Sequence, residues 1–412
     1  MSLESRLPAV AWKKRRLDAV AQVRTGIAKG SKQAADPVEL PYLRVANVQA
    51  GALDLEEIKT ISVDRTQVGR YSLRPGDVLM TEGGDFDKLG RGTIWTGQID
   101  PCLHQNHVFS VRCDQSKVIP EWISWVSSSH YGRRYFLLCS KQSTNLASIN
   151  SSQLKAFPLP LPTLAQQKVI AEIIRSAESR VATVDRLIDQ KRTFKRGLMQ
   201  QLLTGQKRFP EFRDRPWKMS GLEDHVEPVT RKNASGATLV LTASGEHGLV
   251  DQRRYFNRNV AGADLSKYFL LRKGEFAYNR SAMNGYPYGA TKRLDAHREG
   301  VLSTLYLCFS ISDSKLDSDF LKHVFESGVL NRQLRPIVRV GARAHGLLNV
   351  TDDDFLSISI PYPQFDEQKR IAGVLNDLDR ELDLLAAQRE QVEMYKRSLL
   401  SRLLSGELRV PA

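Results

Sequence analysis

Cysteine is scarce in this chain of 412 residues, and long hydrophobic runs are missing. The four cysteines, Cys102, Cys113, Cys139 and Cys308, are too scattered to make the disulfide framework of a small secreted domain. No apolar run is long enough to cross a membrane, and residues 1–16 lack the apolar core of a secretory signal. We therefore expect a protein that is neither secreted nor membrane-spanning and that works in the reducing cytoplasm.

Sequence motifs for catalysis are also missing. The glycines of residues 26–31 have the wrong spacing for a phosphate loop, and no Asn/Asp-Pro-Pro-aromatic tetrad of an adenine methyltransferase occurs. Asp36 with Glu57 and Lys59 loosely resembles a nuclease carboxylate cluster, but such a pattern often arises by chance. We therefore predict no catalytic residue in this chain.

One set of residues can be drawn as a zinc site, namely Cys102, His104, His107 and Cys113. Their spacing matches no usual zinc pattern. Residues that alternate along a β-strand more often serve packing and the polar edge. We therefore predict no metal site in the chain.

The most prominent feature that is present is a long repeat. Residues 163–205 and 364–406 align without a gap, so that Gln167-Lys168 falls on Gln368-Lys369 and Lys195 falls on Lys396. A repeat of this length calls for a structural explanation. In both copies apolar residues recur at alternating steps of four and three, which predicts a heptad seam along one long helix of about 60 Å. The seam residues are Ile170, Ile174, Ala177, Val181, Val184, Ile188, Leu198 and Leu202, and in the second copy Ile371, Leu375, Leu378, Leu382, Leu385, Val392, Leu399 and Leu403.

The ends of the two helices carry their own signals. Thr163 and Gln166 fit a capping box, and Gly205 and Gly406 stand where a glycine follows the end of a helix. A single amphipathic helix is usually part of a globular core. Two matching copies, each longer than an average helix, favour a two-stranded coiled coil instead.

Charge placement indicates how the two helices pair. The second half of the first helix is basic, with Lys191, Arg192, Lys195 and Arg196, whereas the first half of the second helix is acidic. Parallel pairing would bring Lys195 beside Lys396. Antiparallel pairing would set the basic half against the acidic half. The alternative is that each helix only complements its own dipole.

The chain outside the helices consists of two globular parts. Short β-rich runs and turn residues, with few helical patterns, indicate α+β structure in both parts. Residues 73–78 (LRPGDV) resemble residues 271–276 (LRKGEF), so the parts look like diverged copies. The predicted domains are residues 1–156, a first helical spacer 157–209, residues 210–357, and a second helical spacer 358–412.

The charge of the chain points to a polyanion as partner. Lysine and arginine number 60 against 46 aspartates and glutamates, a formal charge of +14, which favours nucleic acid although such a balance alone is a weak signal. The glycine-rich loop 81–92 and the matching segment 278–289 suit close approach to phosphates and bases, although a simple turn between strands is the alternative. The candidate DNA-binding residues are Asp85, Lys88, Arg91, Lys141, Asn145, Asn279, Arg280, Asn284, Lys292, Arg293, Arg343 and His345.

Taken together, these features resemble the DNA-specificity subunit of a type I restriction–modification system, over essentially the whole chain. The resemblance rests on the Pro-x-Pro segments at 160–162 and 361–363, the Gln-Lys-x-Ile-Ala helix openings, the Leu-Leu-Thr/Ser-Gly endings and the loop 81–92. It implies two target-recognition domains of mixed α/β structure, joined by two long helices in an antiparallel intramolecular coiled coil. It also implies an internal duplication with pseudo-two-fold symmetry.

The resemblance further implies the function and the partners. Each recognition domain would read one half of an asymmetric bipartite site in double-stranded DNA, and the helices would set the gap between the halves. Modification subunits, two in number, would dock on the helices and carry S-adenosylmethionine, whereas restriction subunits would supply ATP- and Mg²⁺-dependent cleavage, so this chain would hold no cofactor. The candidate partner-binding residues are Gln167, Lys168, Gln368, Lys369, Lys195 and Lys396. A coiled-coil scaffold that reads no DNA sequence is the alternative, but it leaves the basic charge and the duplicated domains unexplained.

Overall fold

The computed structural model of this chain describes residues 10–29, 35–84, 89–90, 92–142, 147–245, 247–258, 261–262, 264–283, 285–340 and 348–411. The chain divides into two compact units. Unit 1 comprises residues 1–183 and 389–412, and unit 2 comprises residues 184–388. Each unit holds one globular domain and about half of each long helix, so the division falls within the helices and not at their ends.

Unit 1 mixes short strands with helices. Its strands are β1 (Lys14–Arg16), β2 (Ala21–Thr25), β3 (Pro37–Leu43), β4 (Lys59–Asp64), β5 (Val78–Thr81), β6 (Gly83–Gly84), β7 (Gly92–Ile94), β8 (Leu103–His104), β9 (Val108–Cys113), β10 (Lys141–Gln142), β11 (Ala147–Ser148) and β12 (Pro158–Pro160). Its helices are α1 (Val68–Tyr71), α2 (Pro120–Ser128), α3 (His130–Cys139), α4 (Ser151–Lys155) and the first half of α5 (Leu164–Leu202).

Unit 2 repeats this mixture. Its strands are β13 (Lys218–Gly221), β14 (Val226–Pro228), β15 (Leu241–Ser244), β16 (Gly248–Asp251), β17 (Phe269–Arg272), β18 (Phe276–Asn279), β19 (Ala290–Arg293), β20 (Glu299–Leu302), β21 (Leu307–Ile311), β22 (Arg339–Val340), β23 (Leu348–Asn349) and β24 (Ser359–Tyr362). Its helices are α6 (Gln252–Phe256), α7 (Ser318–Ser327), α8 (Asn331–Ile337), α9 (Asp352–Leu356) and the first half of α10 (Phe365–Ser405).

The same sheet forms the centre of both globular domains. In unit 1 its strand order is β2-β9-β5-β7, and in unit 2 it is β14-β21-β18-β19, with every neighbour antiparallel. In both units the strand that precedes the long helix pairs with the first strand of the domain, as β12 does with β1 and β24 with β13. Identical order and pairing confirm the predicted internal duplication and the α+β class.

The two domains differ outside this shared sheet. Unit 1 adds a three-stranded sheet of order β4-β3-β8, in which β3 and β8 run parallel. Unit 2 has two separate antiparallel pairs instead, β15 with β16 and β17 with β20. The shared sheet is thus retained in both halves, and the surrounding strands have diverged.

The long helices begin and end as the sequence predicts. The backbone N–H of Gln166 donates to Thr163 Oγ1 at 3.3 Å, and that of Thr163 donates to Gln166 Oε1 at 3.2 Å, which is a capping box. Gly205 and Gly406 have φ angles of 72° and 75°, in the left-handed region that favours glycine. Helices α5 and α10 contain 39 and 41 residues, and no described helix is both long and apolar enough to cross a membrane.

Within each unit the two helices run antiparallel. In unit 1 Ile170 and Ile174 of α5 share a core with Leu403 and Leu404 of α10. In unit 2 the opposite ends meet, because Met199, Leu202 and Leu203 of α5 share a core with Ile371, Leu375 and Leu378 of α10. Lys191 of α5 forms an ion pair with Glu381 of α10, and Lys195 forms one with Asp379. The prediction of antiparallel pairing with the basic half against the acidic half is confirmed.

A buried glutamine fastens the start of α5 to its own domain. The side chain of Gln167 is fully buried. Its Nε2 donates to the carbonyl oxygens of Lys117 and Pro162, both at 3.0 Å, and its Oε1 accepts from the backbone N–H of Ile119 at 3.0 Å. One amide therefore satisfies three backbone groups, including the N–H of Ile119, the residue that precedes α2.

The equivalent glutamine does the same at the start of α10. Gln368 is fully buried, its Nε2 donates to the carbonyls of Lys315 (3.1 Å) and Pro363 (2.8 Å), and its Oε1 accepts from Asp317 N–H at 2.8 Å. The partner contact predicted for Gln167 and Gln368 needs correction, since both amides are buried and fully used inside their own units.

We expect Gln368→Ala to destabilise unit 2. The substitution leaves the Asp317 N–H and two carbonyls in a buried place without their partner, a loss of about 2–3 kcal/mol in the free energy of unfolding. Urea denaturation of the full chain, followed by circular dichroism, measures it. Gln190→Ala on the exposed face of α5 is the control and should change little. Equal stability of the two variants would contradict the role of Gln368.

Candidate nucleic-acid interface

The two candidate segments of the first domain meet in one small sheet. Strand β6, at the base of the loop 81–92, pairs with β11, and β11 pairs with β10. Lys141, the first residue of β10, is exposed. Asp85, Lys88, Arg91 and Asn145 lie outside the described residues, so their predicted contacts remain predictions.

Glu82 connects this small sheet to the central one. Its backbone N–H donates to the carbonyl of His107 at 2.9 Å, and its carbonyl accepts from the N–H of Ile149 at 2.8 Å. Its carboxylate forms an ion pair with the exposed His107 ring if that ring is protonated. This role could not be predicted from the sequence, because a backbone connection leaves no pattern of side-chain types.

Close approach of two backbones explains why the loop base contains glycine. A Cβ atom at Gly83 would lie 2.8 Å from the carbonyl oxygen of Ala147. This distance is shorter than real Cβ atoms tolerate, so any larger residue would push β6 away from β11. Gly83 is therefore needed to keep β6 paired with β11.

The second domain joins its candidate segments in a related way. The carbonyl of Arg280 accepts from the N–H of Leu348 at 2.8 Å, and Leu348 begins β23, the partner of β22. Residue Arg280, which follows β18, is thus joined to β23 in unit 2, as β6, which follows β5, is joined to β11 in unit 1. Asn284, Arg343 and His345 lie outside the described residues.

Two of the basic residues predicted to contact DNA are engaged inside unit 2. Lys292 is only 5% exposed, and its Nζ donates to the carbonyl of Gly245 at 3.0 Å and to the hydroxyl of Tyr286 at 2.8 Å. Arg293 donates to Ser318 Oγ at 2.8 Å and to Asp319 Oδ1 at 2.6 Å. The prediction of a DNA contact is not supported for Lys292 or Arg293, because both groups already have hydrogen-bond partners inside unit 2.

Asn279 and Arg280 occupy an intermediate position. Both are half-buried at the end of β18. The Arg280 guanidinium forms an ion pair with Asp352 at the start of α9. Desolvation lowers the pKa of Arg280 from its usual value, but the group stays charged at any physiological pH. A DNA phosphate would have to share Arg280 with Asp352.

The lysines predicted to bind a partner fall into two groups. Lys195 and Lys396 are half-buried; Lys195 pairs with Asp379, and Lys396 pairs with Glu393 at 2.9 Å on its own helix. Lys168 and Lys369 are exposed at the matching starts of the two helices. Only the second pair presents its ammonium groups to solvent.

The ligand atoms of Cys102, His104, His107 and Cys113 do not come together as a group of three or more in the described part of the chain. Cys102 and His104 are buried, and the carbonyl of Val108 lies 2.6 Å from His104 Nδ1. Desolvation raises the pKa of Cys102 and of Cys113 to about 12 and lowers the pKa of His104 to about 4, because burial disfavours the charged form of each group. These side chains serve the core of unit 1.

The carboxylates that resembled a nuclease site pair with cations of their own domain. Asp36 accepts from Arg65 Nε at 2.8 Å, and Glu57 lies 3.4 Å from Lys59 Nζ and 3.6 Å from Arg44. These ion pairs are solvent-exposed surface contacts, which ordinarily add little to stability. They give no support to a catalytic cluster.

Comparison with known proteins adds the family. Residues 9–190 and 262–394 match the model of the type I restriction modification DNA specificity domain. A protein of Methanocaldococcus jannaschii named for the specificity subunit of the type I restriction enzyme MjaX is 24% identical over 416 residues, which cover 97% of this chain and 94% of that protein. The EcoKI specificity subunit of Escherichia coli K12 is 26% identical over 176 residues, which cover 42% of this chain and 36% of that subunit.

Solved structures share the fold. A chain solved in work on the assembly and conformational transition of the type I R-M system superposes with a TM-score of 0.60 at 16% identity, covering 98% of this chain and 99% of that one. The HsdS subunit of Thermoanaerobacter tengcongensis gives 0.52 at 16% identity, with 96% and 97% covered. At such identities the likeness concerns the fold alone.

Gly83→Ala should open the small sheet of unit 1. The added Cβ would meet the carbonyl of Ala147, and overpacking of this kind costs about 1–3 kcal/mol, so we expect the amides of β6 and β11 to exchange about tenfold faster. Hydrogen exchange read by mass spectrometry measures this. Gly69→Ala in α1, whose Cβ would meet no atom within 4 Å, is the matched control. Unchanged exchange in the Gly83 variant would rule out the tight contact.

Proposed function

This chain belongs to the family of type I restriction–modification DNA specificity proteins, and we propose that it selects the DNA site on which a type I complex acts. In this proposal each globular domain reads one half of an asymmetric bipartite target. The observation that carries it is the repeated central sheet, in which the chain that leaves β5 or β18 is joined by backbone hydrogen bonds to β11 or β23.

The two half-sites should differ in sequence. The scaffolds of the two units share their sheet order, but unit 1 builds its small sheet from three strands and unit 2 from two. The loop that follows β5 and the one that follows β18 share no close sequence. Because base readout depends on the side chains presented by such loops, two different loops imply two different half-sites. The formal charge of +14 supports binding to phosphates on both sides.

The two helices serve as the ruler between the half-sites. Each passes from one unit into the other without interruption, over 39 residues in α5 and 41 residues in α10. A continuous helix has a fixed rise of about 1.5 Å per residue. The number of residues in the helices therefore fixes the number of base pairs that remain unread.

Modification subunits would dock on the helices. Large apolar side chains are exposed there, including Phe194 (59%), Leu384 (70%) and Tyr395 (62%), as expected for a surface that a partner covers. Since the helices are near-copies, we propose two modification subunits. S-adenosylmethionine, and ATP with Mg²⁺ where restriction subunits join, would be bound by the partners. This chain would be non-catalytic and would act on DNA in the cytoplasm.

Exchange of one recognition domain should change one half-site. Replacing residues 1–156 by those of another family member should alter one half of the methylated motif and leave the other half and the gap unchanged. Single-molecule sequencing of the host genome, with the modification subunit present, reads the motif. The purified chain with S-adenosylmethionine alone is the control and should methylate nothing. A change in both half-sites would contradict independent reading.

Lengthening the helices should change only the gap. Seven residues inserted between Thr183 and Val184, and seven between Gln388 and Arg389, keep the heptad seam at the division between the units. They add about 10 Å, or roughly three base pairs. We expect the same half-sites with a longer gap, or no methylation where the added rotation of about a third of a turn prevents binding of both halves.

One result of the insertion experiment would contradict the ruler role of the helices. If the variant folds, as judged by circular dichroism, and methylates the original motif with its original gap, the helices are not the ruler. A matched variant with seven conservative substitutions in α5 at exposed positions, and no insertion, should keep the motif of the natural chain.

A further inference from the structure

Three potential metal ligands meet where α7 packs beside α10 in unit 2. His323 and Glu326 lie one turn apart on α7, and Asp379 lies on α10. One nitrogen of His323 and one oxygen from each carboxylate all lie within 4.8 Å of one another. Among the residues that the structure describes, this is the one group of three or more histidine, cysteine or acidic side chains with such proximity.

A chain of hydrogen bonds fixes which nitrogen of His323 carries the proton. Asn376 Nδ2 donates to Asp319 Oδ2 at 2.9 Å, and Arg293 in turn holds Asp319 at 2.6 Å. The amide of Asn376 must therefore present its Oδ1 to His323 Nε2, 2.8 Å away. Since an amide oxygen only accepts, Nε2 carries the proton, and in the neutral ring the Nδ1 atom has a free lone pair.

The Nδ1 atom lies beside one carboxylate of the cluster. His323 is fully buried, and no hydrogen-bond partner of Nδ1 occurs in the described part of the chain. Glu326 Oε2 lies 3.9 Å from Nδ1. A carboxylate oxygen is itself an acceptor, so it cannot donate the missing hydrogen bond to the lone pair. A buried imidazole beside two carboxylates, with one nitrogen held by a hydrogen bond and the other without a partner, is the arrangement of a metal-binding histidine.

Each of the two carboxylates also has a lysine beside it. Lys292 Nζ lies 3.8 Å from Glu326 Oε1, so that Oε2 is left toward His323, and Lys195 forms an ion pair with Asp379 Oδ1. Lys292 is fixed by its bonds to Tyr286 and Gly245. Contacts of this kind orient ligating carboxylates in metal sites.

We propose that His323 Nδ1, Glu326 and Asp379 bind one Zn²⁺ ion, which ties α7 of the second recognition domain to α10. One imidazole and two carboxylates suit zinc, whereas Mg²⁺ and Ca²⁺ prefer ligands that are all oxygen. A cavity of about 460 Å³ is lined by Glu326 and Asp379, which gives an ion access to the two carboxylates and leaves room for a water ligand. Sequence spacing could not indicate the site, because its ligands come from separate segments.

The duplication of the chain supplies an internal control. Ile119 and Asp317 occupy equivalent places, since their N–H groups bind the equivalent glutamines of α5 and α10. Counting onward from them, His323 and Glu326 correspond to Trp125 and Ser128, and Asp379 corresponds to Glu178. Unit 1 therefore lacks two of the three ligands. We expect one ion per chain.

Zinc titration of the chelator-treated full chain tests the site. We expect one equivalent of Zn²⁺ to bind in competition with a chromophoric chelator, to raise the unfolding temperature, and to be unaffected by excess Mg²⁺. Co²⁺ in its place should show visible absorption without the near-ultraviolet thiolate band that binding to any of the four cysteines would produce. Glu326→Gln and Asp379→Asn, which keep side-chain shape, should each weaken zinc binding at least about tenfold.

Asp383→Asn is the matched control, because Asp383 lines the same cavity one turn beyond Asp379 but is outside the cluster. It should keep the affinity of the natural chain within about twofold, a shift that surface charge alone produces. The proposal is overturned if the natural chain binds no zinc, if Co²⁺ shows the thiolate band, or if Glu326→Gln and Asp379→Asn bind as the control does. Circular dichroism of the metal-free variants shows whether each is folded, and either one suffices for the test.

Discussion

Each globular core of this protein is completed by side chains from both long helices, and the rest of the structure depends on that sharing. Ile170 and Leu403 lie in the core of unit 1, and Leu202 and Ile371 lie in the core of unit 2. Burial of such side chains contributes about 1.5–3 kcal/mol each, so neither domain is separable from the helix pair. The buried amides of Gln167 and Gln368 then fix where each helix starts on its domain. Within each unit the globular domain and parts of both helices thus share one hydrophobic core.

Features that follow from periodicity and charge could be predicted from the sequence. The heptad seam, the capping box at Thr163 and the glycines at 205 and 406 are local signals, and the structure has each of them. Antiparallel pairing followed from the opposite charges that Lys195 and Asp379 now bring together. The duplication was visible in the helices, where the same packing task has kept the same residues.

Features that depend on which polar side chains are buried could not be predicted. Lys292 looks like a surface cation, yet the fold turns it toward Tyr286 and the carbonyl of Gly245. Gln368 looks like a solvent-facing helix residue, yet its amide forms hydrogen bonds with three backbone groups of its own unit. In both cases the deciding partner is distant in sequence or is a backbone atom, which side-chain patterns do not reveal. The cluster around His323 could not be predicted for the same reason, since its residues lie on α7 and α10.

The division of the chain also determines which unit can complete its fold first during synthesis. Unit 2 is one continuous stretch, whereas unit 1 needs residues 389–412, which a ribosome adds only after all of unit 2. The hydrogen bonds from Trp12 Nε1 to the carbonyl of Leu403 and from the Ala11 N–H to the carbonyl of Ser405 can form only after α10 has been synthesised. Domains generally fold in the order of synthesis. Here the domain encoded first is the one completed last, and until then its apolar surface around Leu159 and Ile170 has no cover from α10.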